Sequence, residues 1–171
     1  MEKNLTLTGM MGVGKTTIGK TLAKKLKYNF IDIDKIIENQ EGRSISSIFK
    51  YKGESHFRKI ERDITLSELK KSNSVISLGG GAFLNSSIRK STKKNSISFW
   101  LDVPISILIK RLKKSKNRPV LGKEKTNDSI KRIYFERKKF YNRANFRIDC
   151  KNLTLKKIVE NILDLYEKPR N

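Results

Sequence analysis

Short apolar runs alternate along the chain with longer stretches in which apolar residues recur every third or fourth position. Runs of the first kind are typical of buried strands, and the second pattern is typical of amphipathic helices. The runs predict strands over 3–8, 29–33, 74–78, 97–101 and 146–149. Because strands alternate with helices, the pattern predicts an α/β fold in which helices cover both faces of a parallel sheet.

The helical periodicity predicts helices over 15–27, 35–41, 45–51, 54–71, 86–93, 128–142 and 153–167. A further helix is expected to begin after Asp102, which is a favourable N-cap residue, with Pro104 in its first turn. Gly53 is expected to separate the two helices on either side of it. The stretch 113–124 is basic and lacks periodicity, so we predict a mobile loop there.

Length and composition favour one soluble domain. A chain of 171 residues is long enough for one well-filled domain and too short for two ordinary ones. No apolar run approaches the roughly 20 residues of a membrane-spanning helix, and the N-terminus has no signal-peptide pattern. The single cysteine, Cys150, excludes an internal disulfide and is typical of a reducing compartment. We therefore expect a cytoplasmic protein with a single domain over 1–171 and no membrane partner.

The chain is strongly basic, with 39 Lys and Arg residues against 17 Asp and Glu residues and a formal net charge of +22. Such a charge attracts nucleic acids and anionic membranes. The lysines are scattered over every predicted helix, however, and do not form one block. We interpret most of them as solvated surface and expect no nucleic-acid partner.

The segment 9–16, GMMGVGKT, has the spacing of a phosphate-binding loop between a strand and a helix. Its glycines allow backbone N–H groups to point at phosphate oxygens, and the N-terminus of the following helix adds a positive dipole. Lys15 is placed to reach the β- and γ-phosphates of ATP, and the Thr16 hydroxyl to ligate Mg²⁺. The predicted ATP-binding residues of the loop are Gly12, Val13, Gly14, Lys15, Thr16 and Thr17.

Further candidates follow other predicted strands, because ligands of parallel α/β sheets bind beyond the carboxyl ends of the strands. Asp32 and Asp34 lie at the end of the second strand, and three glycines follow the third at 79–81. One carboxylate is expected to help hold Mg²⁺ or its water and the other to orient an acceptor hydroxyl. Capping of the next helix by Asp34 is the alternative.

Two arginines are candidates for binding anionic groups. Arg58 and Glu61 lie three positions apart on one helix face, where the carboxylate can aim the guanidinium for bidentate binding. Arg118 lies in the predicted loop, and an arginine on a loop that closes over phosphates neutralises charge in the transition state. Taken alone, each of these arginines and Arg137 is also consistent with a solvated surface position.

Together these motifs resemble the shikimate kinases, within the nucleoside-monophosphate-kinase-like branch of P-loop proteins. The resemblance covers nearly the whole chain and is carried by GxxxxGKT at 9–16, DxD at 32–34, GExxFRxxE at 53–61, GGG at 79–81, FWLD at 99–102, NRP at 117–119 and RxxxY at 137–141. The chain departs from the family pattern at Lys139 and Phe140, where the family usually has proline and leucine. It departs again at Val120, where leucine is more usual.

The resemblance implies a three-layer α/β/α P-loop fold, with a five-stranded parallel sheet in the order 2-3-1-4-5 and a mobile lid at about 113–124. It implies a monomeric enzyme that uses Mg²⁺ and transfers the γ-phosphate of ATP to the 3-hydroxyl of shikimate. The implied substrate-binding helices lie at about 34–62, and the implied shikimate-binding residues are Asp34, Arg58, Gly79, Gly80, Gly81 and Arg137. The implied catalytic residues are Lys15, Asp34 and Arg118, of which Lys15 and Arg118 also bind ATP. The implied metal-binding residues are Thr16 and Asp32.

Other functions are compatible with parts of this pattern. Another small-molecule kinase on the same scaffold, acting on gluconate or a nucleoside monophosphate, is the nearest alternative. Asp34, Arg58 and Arg137 suit a small polyhydroxylated carboxylate, and we find no groups that would bind a base. A P-loop protein that binds nucleic acid through its +22 charge is a second alternative. A non-catalytic relative is disfavoured because every expected catalytic position is filled.

Overall fold

The structure is a computed structural model, and residues 3–114 and 126–168 are described. Five parallel strands form one sheet in the order β2-β3-β1-β4-β5, which confirms the predicted fold class and strand order. The strands are β1 (Asn4–Thr8), β2 (Asn29–Asp32), β3 (Ser74–Ser77), β4 (Ser96–Asp102) and β5 (Phe146–Asp149). Each lies within one or two residues of its predicted position.

Helices connect the strands and cover the sheet. They are α1 (Lys15–Leu26), α2 (Ile33–Glu41), α3 (Ile45–Glu68), α4 (Ser86–Asn95), α5 (Ile105–Lys114), α6 (Asn127–Tyr141) and α7 (Leu155–Glu167), with a 3₁₀ turn at Ala82–Leu84. Because α5 extends to Lys114, the first two residues of the loop predicted at 113–124 are helical. The remainder of that loop, 115–124, lies outside the described residues.

Helix α3 is interrupted at Gly53, as predicted. The backbone there has φ 80° and ψ 168°, a conformation that residues with a side chain rarely adopt. Ser44 caps the start of α3 by accepting a hydrogen bond from the backbone N–H of Ser47 at 3.2 Å. A separate helical stretch therefore begins after Gly53, and this stretch contains Arg58 and Glu61.

The sheet separates two apolar clusters, because successive side chains of a strand point to opposite faces. Phe99 and Leu101 of β4 belong to the cluster that includes residues of α1, α5, α6 and α7. Trp100 belongs to the other cluster, with residues of α2, α3 and α4. Burial of one large apolar side chain contributes about 1.5–3 kcal/mol to the free energy of unfolding. These clusters therefore stabilise the sheet and helices from which the polar loops extend.

Asp102 does not cap a helix, so that prediction is wrong. It is the last residue of β4, is 6% exposed, and belongs to a polar cluster that links three elements. Its carboxylate accepts hydrogen bonds from the Tyr134 hydroxyl of α6 at 2.9 Å and from Arg147 Nε of β5 at 2.9 Å. A carboxylate withdrawn from water needs such partners, and the local sequence around β4 contains neither of them. Burial, and then the bond to Asp102, raise the pKa of Tyr134 to about 12.

Replacing Asp102 by alanine is expected to lower the free energy of unfolding by about 3 kcal/mol, because it leaves the buried Tyr134 hydroxyl without its acceptor and removes the ion pair to Arg147. Denaturant unfolding followed by circular dichroism measures the change. Asp63→Ala is the control, since Asp63 is exposed and pairs with its neighbour Arg62. A loss in Asp102→Ala no larger than in this control would contradict the structural role assigned to Asp102.

Candidate active site

Three neighbouring strands end at the same edge of the sheet, and each is followed by candidate residues. β2 ends at Asp32, β3 ends at Ser77 just before the three glycines, and β1 ends at Thr8 just before the phosphate loop at 9–14. Ser77 is paired with Asp32 on one side and with Leu7 on the other. The parallel topology therefore brings the separate motifs together at the carboxyl edge, where such sheets bind ligands.

The phosphate loop is a tight turn between β1 and α1. Gly12 and Gly14 have φ 80° and 100°, values that favour glycine. Helix α1 begins at Lys15, so the N–H groups of its first turn lie at the end of the loop, where they suit an anion. Val13 is buried among apolar residues and can offer a ligand only its backbone, whereas Thr17 is exposed.

Lys15 spans the phosphate loop. Its Nζ donates to the carbonyl oxygens of Gly9 at 2.9 Å and Met10 at 3.0 Å, which holds the ammonium beside the loop. Arg111 of α5 adds a second cation, because its Nη1 donates to the carbonyl oxygen of Gly12 at 3.1 Å. Nothing in the sequence near Arg111 indicates this contact, which depends on how α5 packs beside the loop.

Thr16 and Asp32, the predicted metal-binding residues, are in direct contact. Thr16 Oγ1 donates to Asp32 Oδ2 at 2.9 Å. Asp32 also accepts from the backbone N–H of Lys35 and caps α2, so the alternative that Asp34 caps this helix is wrong. The two oxygens fit Mg²⁺, which commonly binds one or two protein oxygens together with substrate phosphates. Within 3–114 and 126–168, no group of three or more His, Cys, Asp or Glu residues could hold a metal by itself.

A cavity of about 320 Å³ lies next to the phosphate loop. It is lined by five of the predicted acceptor-binding residues, Asp34, Arg58, Gly80, Gly81 and Arg137, and also by Thr16 and Asp32. The lining residues that were not predicted are Met11, Lys35, Glu38, Ser44, Ile45, Ser46, Phe49 and Phe57. The helical pattern identifies Phe57 only as an apolar position of its helix, because periodicity does not distinguish a core residue from one in a pocket wall.

Arg58 is held in the cavity by two carboxylates. Its Nη1 donates to Glu61 Oε2 at 2.7 Å, and its Nη2 donates to Glu54 Oε1 at 3.0 Å. Burial acts to lower the pKa of Arg58, but the charge and hydrogen bonds of Glu61 and Glu54 outweigh it and raise that pKa. Burial raises the pKa of Glu61, which is 2% exposed, and the Arg58 charge opposes the shift only in part. The guanidinium is therefore fixed in orientation and permanently charged.

The three glycines at 79–81 make room for charged side chains. A Cβ at Gly79 would overlap Glu61 Oε1 and lie 2.7 Å from Asp34 Oδ1, and a Cβ at Gly81 would lie 2.5 Å from Arg58 Nη1. Neither approach leaves space for a methyl group. Gly79 does not line the cavity itself. Because it has no side chain, the carboxylates of Glu61 and Asp34 can lie close to its backbone.

Arg137 lies in the cavity and not on a solvated surface. It is 6% exposed, and its Nη1 donates to the carbonyl oxygen of Gly80 at 2.9 Å. The hydroxyl of Tyr141, one helical turn later, donates to the same oxygen. Helix α6 continues through Lys139 and Phe140, so the departure from the family pattern there leaves Arg137 facing the three glycines.

Arg118 and most of the loop around it lie outside the described residues, so the predicted transition-state contact of Arg118 and the predicted lid remain predictions. Cys150 is buried and is not a site residue. Burial raises the pKa of its thiol to about 12, which makes the thiolate inaccessible near neutral pH.

The chain is similar in sequence to one family of enzymes. The family model for shikimate kinase matches residues 11–167. A shikimate kinase from a Sulfurihydrogenibium species is 44% identical over 161 residues, which cover 94% of this chain and 96% of the relative. A shikimate kinase from Thermodesulfovibrio yellowstonii is 40% identical over 99% of this chain and 98% of its own length.

Solved structures agree. The shikimate kinase from Acinetobacter baumannii in complex with shikimate has a TM-score of 0.90 and 31% identity, and the match covers 95% of this chain and 92% of that one. The shikimate kinase from Bacteroides thetaiotaomicron has a TM-score of 0.87 and 32% identity, covering 97% and 99% of the two chains. A gluconokinase from Sinorhizobium meliloti has a TM-score of 0.55 at 16% identity, which shows a shared fold alone.

Proposed function

The chain belongs to the shikimate kinase family, and we propose that the cavity beside the phosphate loop is where its acceptor binds. The reaction is the transfer of the γ-phosphate of ATP to the 3-hydroxyl of shikimate, which gives shikimate 3-phosphate and ADP. The observation that best supports this placement is that Arg58, Arg137 and Asp34 line one cavity with Thr16 and Asp32. A site for a hydroxylated carboxylate is thereby adjacent to a site for phosphate and metal.

Shikimate is held by charge and by hydrogen bonds in this proposal. Arg58 and Arg137 bind its carboxylate, since two guanidinium groups in a half-enclosed cavity form strong, directional bonds to such a group. Asp34 accepts hydrogen bonds from its hydroxyls. Phe49 and Phe57, whose ring centroids are 4.8 Å apart, provide an apolar wall for the carbon ring.

ATP is bound by the backbone N–H groups of the phosphate loop and by Lys15, which exchanges the carbonyls of Gly9 and Met10 for phosphate oxygens. Thr16, with Asp32 beside it, is the residue that would hold Mg²⁺. When bound, this ion supplies charge neutralisation at the β- and γ-phosphates. Thr17 and Val13 complete the loop, the latter through its backbone.

Catalysis in this proposal is mainly a matter of positioning and charge. The transition state of phosphoryl transfer is loose, so the chain has little covalent chemistry to perform. Asp34 aligns the acceptor hydroxyl with the γ-phosphorus and takes its proton late in the transfer. Lys15 stabilises the transferring group, and Arg118 is proposed to do so from the lid.

We also propose that residues 1–171 act as a single domain and as a monomer in the cytoplasm, without a nucleic-acid partner. The substrate-binding helices are α2 and the part of α3 up to about residue 62, and the lid is at about 113–124. In the described part of the chain, no helix is long and apolar enough to cross a membrane.

Acceptor specificity tests the proposal directly. ADP release is measured with ATP and Mg²⁺ together with shikimate, gluconate, AMP, CMP or no acceptor, and we expect release with shikimate alone. Comparable release with gluconate or a nucleoside monophosphate would contradict the assignment of the cavity. A gel shift with RNA and DNA at physiological salt tests the nucleic-acid alternative, which predicts tight binding that weakens steeply as salt increases.

Gly81→Ala is expected to raise the KM for shikimate by at least about tenfold, because the new methyl group displaces the Arg58 guanidinium and weakens a charged hydrogen bond to the substrate. The KM for ATP is expected to change little. Steady-state kinetics with each substrate varied in turn measures both. Gly42→Ala is the control, since Gly42 has φ 63°, has no atom within 4 Å of an added Cβ and does not line the cavity, so this change strains the backbone without displacing the Arg58 guanidinium. Equal shikimate KM values in the two variants would contradict the proposed contact.

A further inference from the structure

The carbonyl oxygen of Gly80 is bound differently from those of the glycines on either side. The carbonyls of Gly79 and Gly81 accept hydrogen bonds from backbone N–H groups of the following turn, those of Ala82 and Leu84, each at 3.1 Å. The carbonyl of Gly80 accepts from two side chains of α6, the Arg137 guanidinium and the Tyr141 hydroxyl. A carbonyl oxygen has two lone pairs, so these two donors satisfy it fully.

The peptide that joins Gly80 to Gly81 lies between the two arginines of the cavity. A Cβ on Gly80 would be 3.4 Å from Arg137 Nη1, and a Cβ on Gly81 would be 2.5 Å from Arg58 Nη1. The orientation of this peptide therefore helps to set the spacing of the two guanidinium groups. Three consecutive glycines have more backbone freedom than any other sequence, so a fixed orientation requires an anchor from elsewhere in the fold.

Tyr141 has the properties of such an anchor. Its side chain is fully buried, and its ring lies against Trp100 with the ring centroids 6.1 Å apart. Burial raises the pKa of its hydroxyl to about 12, so the group remains protonated and continues to donate throughout the physiological range. Tyr141 does not line the cavity, so its effect on substrate is indirect. Its hydroxyl contacts the Gly80 carbonyl, and Met10 Sδ lies 4.0 Å from the same hydroxyl.

We propose that Tyr141 is a positioning residue for shikimate binding, whose hydroxyl fixes the Gly80 carbonyl so that this carbonyl aims Arg137 at the substrate carboxylate. The inference rests on the proposed function, in which Arg137 binds that carboxylate. It assigns to the last residue of α6 a part in acceptor recognition without any contact to the acceptor.

Tyr141→Phe tests the inference because it removes the hydroxyl and keeps the ring that packs on Trp100. We expect the shikimate KM to rise roughly fivefold, about the effect of losing one neutral hydrogen bond, with kcat and the ATP KM within about twofold. Tyr166→Phe is the matched control: Tyr166 is also buried, and its hydroxyl donates to the backbone carbonyl of Lys3, a residue that does not line the cavity. The control is expected to leave the shikimate KM unchanged.

A double-mutant cycle with Arg137→Ala separates the inference from the proposed function. If Tyr141 acts through Arg137, then Tyr141→Phe raises the shikimate KM in the wild-type background and has little effect in the Arg137→Ala background. An unchanged shikimate KM in Tyr141→Phe, a parallel rise for ATP, or additive effects in the cycle would each overturn the inference while leaving the role of Arg137 intact. An unchanged shikimate KM in Arg137→Ala would instead overturn the proposed role of Arg137, and the inference with it.

Discussion

Replacing Asp34 by asparagine is expected to lower kcat at least about a hundredfold, because an amide cannot accept the proton of the attacking hydroxyl and orients that hydroxyl less strongly than a carboxylate. The substitution keeps the size of the side chain beside Gly79, where a Cβ would lie only 2.7 Å from Asp34 Oδ1, so the three glycines are not disturbed. Asp34 is not in the phosphate loop, and the affinity for ATP is expected to remain nearly unchanged. Steady-state kinetics with both substrates, together with a direct titration of ATP, measures the two effects.

The matched control for this prediction is Asp63→Asn, which makes the same chemical change on α3 at an exposed carboxylate. It is expected to leave kcat unaltered. A kcat for Asp34→Asn within about tenfold of the wild-type value, equivalent to ~1.4 kcal/mol in the barrier, would rule out the role given to Asp34. A large loss of ATP affinity would do so as well, because it would indicate a damaged nucleotide site.

The parts of the fold and site that could be predicted from sequence are those with a local signal. Short apolar runs between stretches of helical periodicity predict all five strands. The GxxxxGKT segment predicts the strand, loop and helix around the phosphate site. Arg58 and Glu61 could be paired from their spacing alone, because residues three apart on a helix are neighbours. The order of the strands came from the family resemblance, since periodicity gives no information about which strands are adjacent.

The parts that could not be predicted depend on contacts between distant segments. Asp102 has the local features of a helix cap, but its partners Tyr134 and Arg147 come from α6 and β5. Arg137 has the sequence surroundings of a solvated helix and is buried only because α6 packs against the glycine turn after β3. The role proposed for Tyr141 could not be predicted for the same reason. It depends on the position of the Gly80 carbonyl and not on the residues next to Tyr141 in the sequence.

Arg58→Ala is expected to have the second large effect, and it acts on substrate binding and stability together. The shikimate KM is expected to rise about a hundredfold, which corresponds to about 2.7 kcal/mol for the loss of a charged, bidentate partner of the carboxylate. The same change leaves Glu61, which is 2% exposed, without its closest counter-charge. Removing one partner of a buried ion pair costs about 3 kcal/mol in the free energy of unfolding.

The stability loss in Arg58→Ala is expected to depend on pH. Burial already raises the pKa of Glu61 above its ordinary value of 4.5, and removal of Arg58 takes away the main influence that opposes this shift. A carboxyl group whose pKa is higher in the folded state stabilises the fold fully below its unfolded pKa and loses that contribution as the pH rises through the folded pKa. The variant should therefore be closest to the wild type in stability at acidic pH and should fall further behind as the pH rises.

The double variant Arg58→Ala/Glu61→Gln separates the two consequences. Glutamine removes the unpaired buried charge, so we expect it to restore most of the lost stability and to abolish its pH dependence, without restoring the affinity for shikimate. Thermal unfolding between acidic and neutral pH and the shikimate KM are measured for both variants and for the wild type. Recovery of the shikimate KM in the double variant would mean that Arg58 only neutralises Glu61 and does not bind the substrate carboxylate.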